Sequence, residues 1–185
     1  MRRERLRAAY TDDELGKLYA KPHEHFGNAD HRLRVAMTIQ LVRAFAGKVE
    51  SVADLACGDA VIASAVNAPR RFLGDFAPTY PLVGPIESTI EQIPPVDLFI
   101  CTEAIEHLDD PDTVLKSIRG KTTALVLSTP VGCFHDRNPE HYWAWDREAV
   151  EAMARDAGFR VDVYAELDLS AAGPDHYSFG IFACR

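Results

Sequence analysis

SVADLACGDAVIASAV, residues 51–66, followed by RRFLGDF, residues 70–76, is the stretch that decides the fold. SVADLA reads as a short buried strand, CGDAVIASAV as a turn passing into a helix, and RRFLGDF as the next strand. Small residues at alternate positions of the turn, Ala56, Gly58 and Ala60, let the backbone bend tightly and approach a ligand lying across the carboxyl edge of a sheet. The helix that follows is expected to begin with free amide groups facing that ligand. Any strand-to-helix corner can use glycine, so the turn alone leaves a plain structural reading open.

The same rhythm continues downstream. LVGPI (82–86) is a weak third strand and VDLFICTE (96–103) a strong buried one; PDTVLKSIRG (111–120) is a helix and TTALVLSTP (122–130) another buried strand. DREAVEAMARDAG (146–158) is a helix ended by Gly158. The tail holds two close-set apolar runs, RVDVYAEL (160–167) and YSFGIFACR (177–185), joined through AAGPDH. Continuous apolar strands alternating with helices predict an α/β fold with a mostly parallel sheet covered on both faces, and the terminal pair predicts antiparallel strands at its edge. Upstream, LGKLY and HRLRVAMTIQLVRAFAG have near-helical apolar spacing and no alternating strand pattern, so residues 1–50 read as a helical lead-in closed by Gly47.

The chain has 185 residues, with 28 acids against 20 Lys plus Arg and a formal net charge of -8. That length suits a single domain spanning 1–185 and leaves no room for a separate substrate domain. The acidic balance argues against a long nucleic-acid track, whose binding depends on cationic side chains. Cys57, Cys101, Cys133 and Cys184 form no CxxC pair and read as reduced thiols in a cytoplasmic protein. No stretch approaches the apolar length of a membrane span, and MRRERLRAAY lacks the apolar core of a signal peptide. Residues 1–34 hold eight basic residues against six acids, which is not a polycationic arm. His23, His25 and His31 read as surface or capping residues.

Two further features carry chemistry. Asp75 ends the second strand about 20 residues after the first, the spacing at which a carboxylate accepts hydrogen bonds from a ribose diol; a turn or capping Asp is the alternative. The loop departs from the GxGxxG of dinucleotide folds, since Ala56 and Ala60 stand where glycines would. The segment TEAIEHLDDPD then packs five acids, Glu103, Glu106, Asp109, Asp110 and Asp112, around His107. Glu103, Glu106 and His107 can face one pocket if a short helix follows Glu103. A distant His141 could complete a divalent-metal set. Asp109, Asp110 and Asp112 read equally well as a solvated helix start. His107 can also serve as a general base, because an imidazole titrates near neutrality. His141 is followed by Tyr142, Trp143 and Trp145, which could wall an acceptor pocket or pack against the sheet.

DLACGDA, Asp75, DLFICTEAIEHLDDP, LVLSTP and HYWAWDREAVEAMARDAGF, in that order, resemble the class I S-adenosylmethionine-dependent methyltransferases, in the broad group with EHL after the fourth strand. The resemblance covers residues 50–165 and implies a Rossmann-like seven-stranded sheet, mostly parallel, with helices on both faces and the last strand antiparallel. It implies S-adenosyl-L-methionine as cofactor. Asp54, Ala56, Cys57, Gly58 and Ala60 would lie at its methionine end, Asp75 on the ribose hydroxyls, and Phe76 beside the adenine, with the base edge read near Ile86 and Glu87. Thr102 and Glu103 would line the methyl-transfer face, and His107, Glu103 and His141 are the catalytic candidates.

The activity implied is methylation of an O or N atom of a small-molecule acceptor, with no resident metal. Glu103, Glu106, His107 and His141 are also similar to the metal-binding quartet of the small-RNA 3′-terminal 2′-O-methyltransferases of the Hen1 type, which implies a metal-dependent alternative. A third reading is a non-catalytic cofactor-binding or interaction module. Acceptor selection is expected from the first 50 residues, from residues 131–145, and from AELDLSAAGPDHY.

Overall fold

The computed structural model describes residues 1–20, 27–173 and 176–185. The chain enters through strand β1 (Arg3–Arg5), helix α1 (Asp12–Leu18) and the long helix α2 (Ala29–Ala46). Thr11 and Glu14 close a capping box at the start of α1, and the Asn28 side chain accepts the Asp30 amide at the start of α2. Gly47, with φ at +62°, ends α2 where the sequence places the stop. The core alternation then runs β2 (Ser51–Asp54), α3 (Val61–Ser64), β3 (Arg70–Asp75), β4 (Leu82–Val83), α4 (Ile86–Thr89), β5 (Leu98–Thr102), α5 (Pro111–Lys121) and β6 (Leu125–Val131). The chain closes with β7 (Trp143–Trp145), α6 (Arg147–Asp156), β8 (Val161–Asp168) and β9 (Ser178–Cys184).

Seven strands form one sheet in the order β4-β3-β2-β5-β6-β9-β8. All are parallel along β4 to β6, and β9 is inserted antiparallel between β6 and the edge strand β8. This is the expected Rossmann-like architecture. Side chains alternate between the two faces of the buried strands β2, β5, β6 and β9. Ala53, Phe99, Cys101, Leu125, Leu127 and Phe182 join one core with residues of α4, α5 and α6. Val52, Leu98, Ile100, Val126, Ile181 and Ala183 join the other with residues of α2 and α3. The strand order changes direction between β2 and β5, and a crevice opens there at the carboxyl ends of the strands.

Three local expectations are corrected. The helix after the glycine turn spans only Val61–Ser64, too short to present a row of free amides. The lead-in is not wholly helical, because Arg3–Arg5 pairs antiparallel with Trp143–Trp145. In that pairing Arg3 and Arg5 both lie over the Trp143 ring, with guanidinium carbons 4.4 and 5.2 Å from its centroid. No local apolar alternation marks β1, since its partner is more than a hundred residues away. Third, His31 is not a surface residue; it faces the crevice. His23 and His25, and part of the turn between β8 and β9, lie outside the described residues. Among the described residues no helix is long and apolar enough to cross a membrane.

Candidate active site

The crevice is a cavity of about 500 Å³ whose walls come from every segment named as a selector. α1 and its flanks contribute Tyr10, Asp12 and Tyr19, and α2 contributes His31 and Arg34. Asn138, Glu140, His141 and Tyr142 precede and enter β7, and Tyr177 leads into β9. Tyr19 closes one side by hydrogen bonding to Glu140 and stacking on Phe76, with ring centroids 5.9 Å apart.

The floor is the glycine turn. Gly58 has φ at +53°, a left-handed conformation that glycine adopts without a Cβ penalty. Its amide donates to Asp75 Oδ2 at 2.9 Å, the Ala77 amide donates to Oδ1 at 3.1 Å, and Tyr80 Oη donates to the Gly58 carbonyl at 2.7 Å. Asp75 thus faces the cavity with both oxygens fixed by main chain, each keeping a lone pair for a ligand hydroxyl. Asp54, at the end of β2, is buried, and its Oδ1 has no hydrogen-bond partner among the described residues. Burial, with Asp75 and Asp59 nearby, outweighs an Ala56 amide hydrogen bond and pushes its carboxyl up to about 7. The Cys57 thiol is raised well above its usual range by burial and by the charges of Asp54 and Asp75, so it stays protonated.

Most of the expected cofactor residues line this cavity: Asp54, Ala56, Cys57, Gly58, Asp75, Phe76 and Thr102 all do. Ala60 does not. It caps α3 in a left-handed conformation, φ +57°, with its methyl buried, so its role is in the turn.

The acidic and histidine cluster divides by function. Asp110 caps α5 by accepting the Thr113 amide at 3.1 Å, while Asp109 pairs with Arg5 and Asp112 with Arg3. These three form the solvated helix start that the sequence allows. Glu103 has φ at +51°, a strained conformation for a residue with a side chain. It accepts the Ser128 hydroxyl at 2.8 Å and lies 3.9 Å from Arg34 Nε. It faces the cavity beside Thr102.

Glu106 points elsewhere. It is buried, with Oε2 accepting the Thr129 hydroxyl at 3.1 Å and Oε1 lying 4.0 Å from His107 Nε2. Oε1 has no hydrogen-bond partner among the described residues. Burial and the charge of Glu103 push the Glu106 carboxyl up to about 8, against the pull of His141 and its hydrogen bonds. Glu106, His107 and His141 bring ligand-type atoms within 4.8 Å of one another. Glu103 is not part of that group, so the expected quartet is a trio here.

His107 and His141 both line the cavity, ring centroids 4.8 Å apart and edge to face. His141 Nδ1 contacts Asp136 Oδ2 at 2.6 Å, and its Nε2 lies 3.1 Å from Asn138 Nδ2. Tyr177 donates to the other Asp136 oxygen at 3.0 Å. The sequence reading missed both Asp136 and Arg34. Their only signal was position in segments already expected to shape the acceptor site. Of the aromatic trio, Tyr142 reaches the cavity. Trp145 is buried with Nε1 donating to Thr129, and Trp143 donates to the Leu108 carbonyl.

No protein-family model and no curated protein matches the sequence. Solved structures do. The Burkholderia thailandensis 1,6-didemethyltoxoflavin-N1-methyltransferase, solved with its substrate and S-adenosylhomocysteine, is 13% identical, over 99% of this chain and 94% of that one, with a TM-score of 0.68. The N-methyltransferase NodS from Bradyrhizobium japonicum WM9, with S-adenosylhomocysteine, is 14% identical over 93% and 97%, also at 0.68. The small RNA methyltransferase HEN1 is 18% identical over 97% of this chain but only 26% of its own, with a TM-score of 0.58. The chain has the fold of the class I S-adenosylmethionine-dependent methyltransferases.

Proposed function

We propose that residues 1–185 form one methyltransferase domain that transfers a methyl group from S-adenosyl-L-methionine to an O or N atom of a small metabolite. The observation that carries this reading is the pairing of Asp75 with the Gly58 turn: a carboxylate held by two main-chain amides at the floor of a 500 Å³ cavity. The residues fit the group. Asp75 offers acceptors to a ribose diol, and buried Asp54 offers an unused acceptor to an ammonium. Phe76 offers a ring at the adenine end, with Glu87 at the cavity wall for the base edge.

When bound, S-adenosylmethionine supplies a methyl group activated on a sulfonium. The chain's own contribution is alignment, exclusion of water and proton removal. Thr102 and Glu103 form the wall where the acceptor meets the methyl, and α1 with Tyr19 covers the opening. His107 accepts the proton that a hydroxyl or amine gives up as it takes the methyl. Both nitrogens of His141 are engaged by Asp136 and Asn138, which suits it to positioning. The acceptor is a small molecule, since a net charge of -8 offers little to a long polyanion. Four free thiols accord with work in the cytoplasm.

The test is calorimetric titration of S-adenosylhomocysteine. Binding that Asp75→Ala weakens strongly is expected, and undisturbed affinity in the variant overturns the assignment.

A second reading is favoured by the trio Glu106, His107 and His141. These residues would hold a divalent ion, with the ion replacing one hydrogen bond of His141 and supplying charge to polarise an acceptor hydroxyl. Metal analysis of protein purified without chelator, repeated on Glu106→Ala, separates the two. A stoichiometric ion lost in the variant supports metal assistance, and its absence from the wild type removes it.

A further inference from the structure

The acceptor side of the cavity carries charge of one sign. Among the described residues Arg34 is the single Lys or Arg on the cavity wall, and it sits in α2, where its charge acts on Asp54 at the glycine turn. The acceptor side has Asp12, Glu103 and Glu140 instead. Neither Asp12 nor Glu140 is in an ion pair among the described residues, and the Glu140 carboxylate is met only by the Tyr19 hydroxyl. Glu103 Oε1 accepts the Ser128 hydroxyl, while Oε2 lies 3.9 Å from Arg34 Nε, too far for a hydrogen bond, and keeps its lone pairs.

The walls between these acids are aromatic. Tyr10 and Tyr142 meet edge to face with ring centroids 6.1 Å apart, and Tyr177 and Phe179 lie 5.8 Å apart; all four line the cavity. Ring faces carry partial negative charge and attract a desolvated cation. Behind His107, Glu106 is only 1% exposed, and its Oε1, 4.0 Å from His107 Nε2, has no hydrogen-bond partner among the described residues. An unmatched buried oxygen is complemented by positive charge brought to this end of the cavity. The wall groups feel the same field. Burial, with the charges of Asp12, Asp109 and Asp110, raises the Glu87 carboxyl, and burial with Glu140 raises the Tyr19 phenol.

We propose that the acceptor is an amine that enters as a cation, seated by Glu103 and Glu140 between the tyrosine rings, and that the methyl goes to its nitrogen. This substrate class rests on the S-adenosylmethionine reading of the cofactor. The ammonium gives one proton to His107, and the freed nitrogen pair attacks the methyl carbon. A C–N bond forms as the C–S bond breaks with its pair left on sulfur, so the positive charge moves from sulfur to nitrogen. Carboxylates at the acceptor end stabilise that charge where it arrives. An oxygen acceptor would have to develop negative charge beside the same carboxylates, which oppose it.

The experiment uses the whole chain with S-adenosylhomocysteine and two spin probes of similar size and opposite charge, 4-amino-TEMPO and 4-carboxy-TEMPO. Paramagnetic broadening of the Leu15 and Leu108 methyls, which line the cavity, is compared with that of exposed Val163 on β8, which reports the pull of the net charge of -8 alone. The amino-to-carboxy ratio is expected to be roughly 5-fold or more higher in the cavity than at Val163, and to fall by roughly half or more in the double variant Glu103→Gln, Glu140→Gln. A cavity ratio no higher than that at Val163, or one that the double variant leaves unchanged, overturns the proposal. If the variant does not fold, the wild-type ratio decides. Phenethylamine, 2-phenylethanol and phenylacetate then separate the reacting atoms. Turnover of the amine alone is expected, and equal or faster turnover of the alcohol or the acid rejects the nitrogen acceptor; where none of the three turns over, the probe ratio decides. A wild type that does not bind S-adenosylhomocysteine in calorimetry overturns the cofactor reading instead, and the probe ratio is still read on the unliganded chain.

Discussion

His141 Nδ1 lies 2.6 Å from Asp136 Oδ2, and the other side of the same imidazole is fixed by Asn138. The Asn138 Oδ1 accepts the Glu140 amide at 3.0 Å, which turns Nδ2 toward His141 Nε2 and makes that nitrogen an acceptor. The ring therefore carries its proton on Nδ1 and donates it to Asp136. Burial works against a charge on this ring, yet the Asp136 hydrogen bond, with Glu106, Asp136 and Glu103 around it, holds its pKa above the usual value. A second proton has to displace Asn138.

Asp136→Asn is expected to lose this arrangement. Long-range proton–nitrogen correlation spectra should show His141 protonated at Nδ1 in the wild type and a mixture of tautomers in the variant. Thermal denaturation should show a loss of about 1–3 kcal/mol, because a buried hydrogen-bonded pair is broken and Tyr177 loses part of its acceptor. Identical spectra in both proteins would contradict the positioning role.

Asp54 gives the binding reaction a pH dependence of defined sign. Its carboxyl is pushed up to about 7, and an ammonium ligand pairs only with the ionised form. The charged groups acting on it are Asp75 and Asp59, which raise it, and Arg34, which lowers it. S-adenosylhomocysteine affinity should therefore rise roughly 10-fold per pH unit below 7 and level off above it. A flat profile from pH 5 to 8 excludes this linkage.

The same shift acts on stability. The folded pKa lies above the unfolded one, so stability present at low pH is lost as pH rises toward 7, where the folded carboxyl finally ionises. Asp54→Asn removes that cost. The variant should be more stable than the wild type at pH 8, by on the order of 2–4 kcal/mol, with the gap shrinking toward pH 5. Denaturant melts at the two pH values measure it, and a less stable variant at pH 8 counts against the buried charge.

Gly180 marks a point where the sheet has no space. A Cβ there would lie 2.8 Å from the Phe182 ring and 2.9 Å from Val131 Cγ1, in the centre of the antiparallel strand β9. Gly180→Ala is expected to cost about 1–3 kcal/mol in thermal or denaturant unfolding. An unchanged midpoint would mean that the ring and the valine move aside freely.

At the amino terminus, Arg3 and Arg5 cover Trp143 and pair with Asp112 and Asp109. These groups are partly exposed, so Arg3→Ala or Arg5→Ala should cost about 1 kcal/mol or less. The clearer readout is Trp143 emission, which should change when either guanidinium leaves the ring. Unaltered emission in the double variant would place the arginines away from the tryptophan in solution.

The sequence by itself determined the sheet. Uninterrupted apolar runs such as LFIC and ALVL bury both faces of a strand, and their alternation with helices leaves few arrangements open, so the parallel core and the antiparallel terminal pair could be read before any contact was known. The glycine turn and Asp75 were legible for the same reason, because backbone chemistry fixes them locally. Tertiary structure decided what local pattern does not encode. The pairing of β1 with β7, the division of one acidic run between a helix cap, a cavity wall and a buried histidine cluster, and the contacts of Arg34 with Glu103 and of Asp136 with Tyr177 all depend on groups distant in sequence. A charged side chain acquires its role from the partners and the burial that folding assigns to it, and those are properties of the assembled crevice.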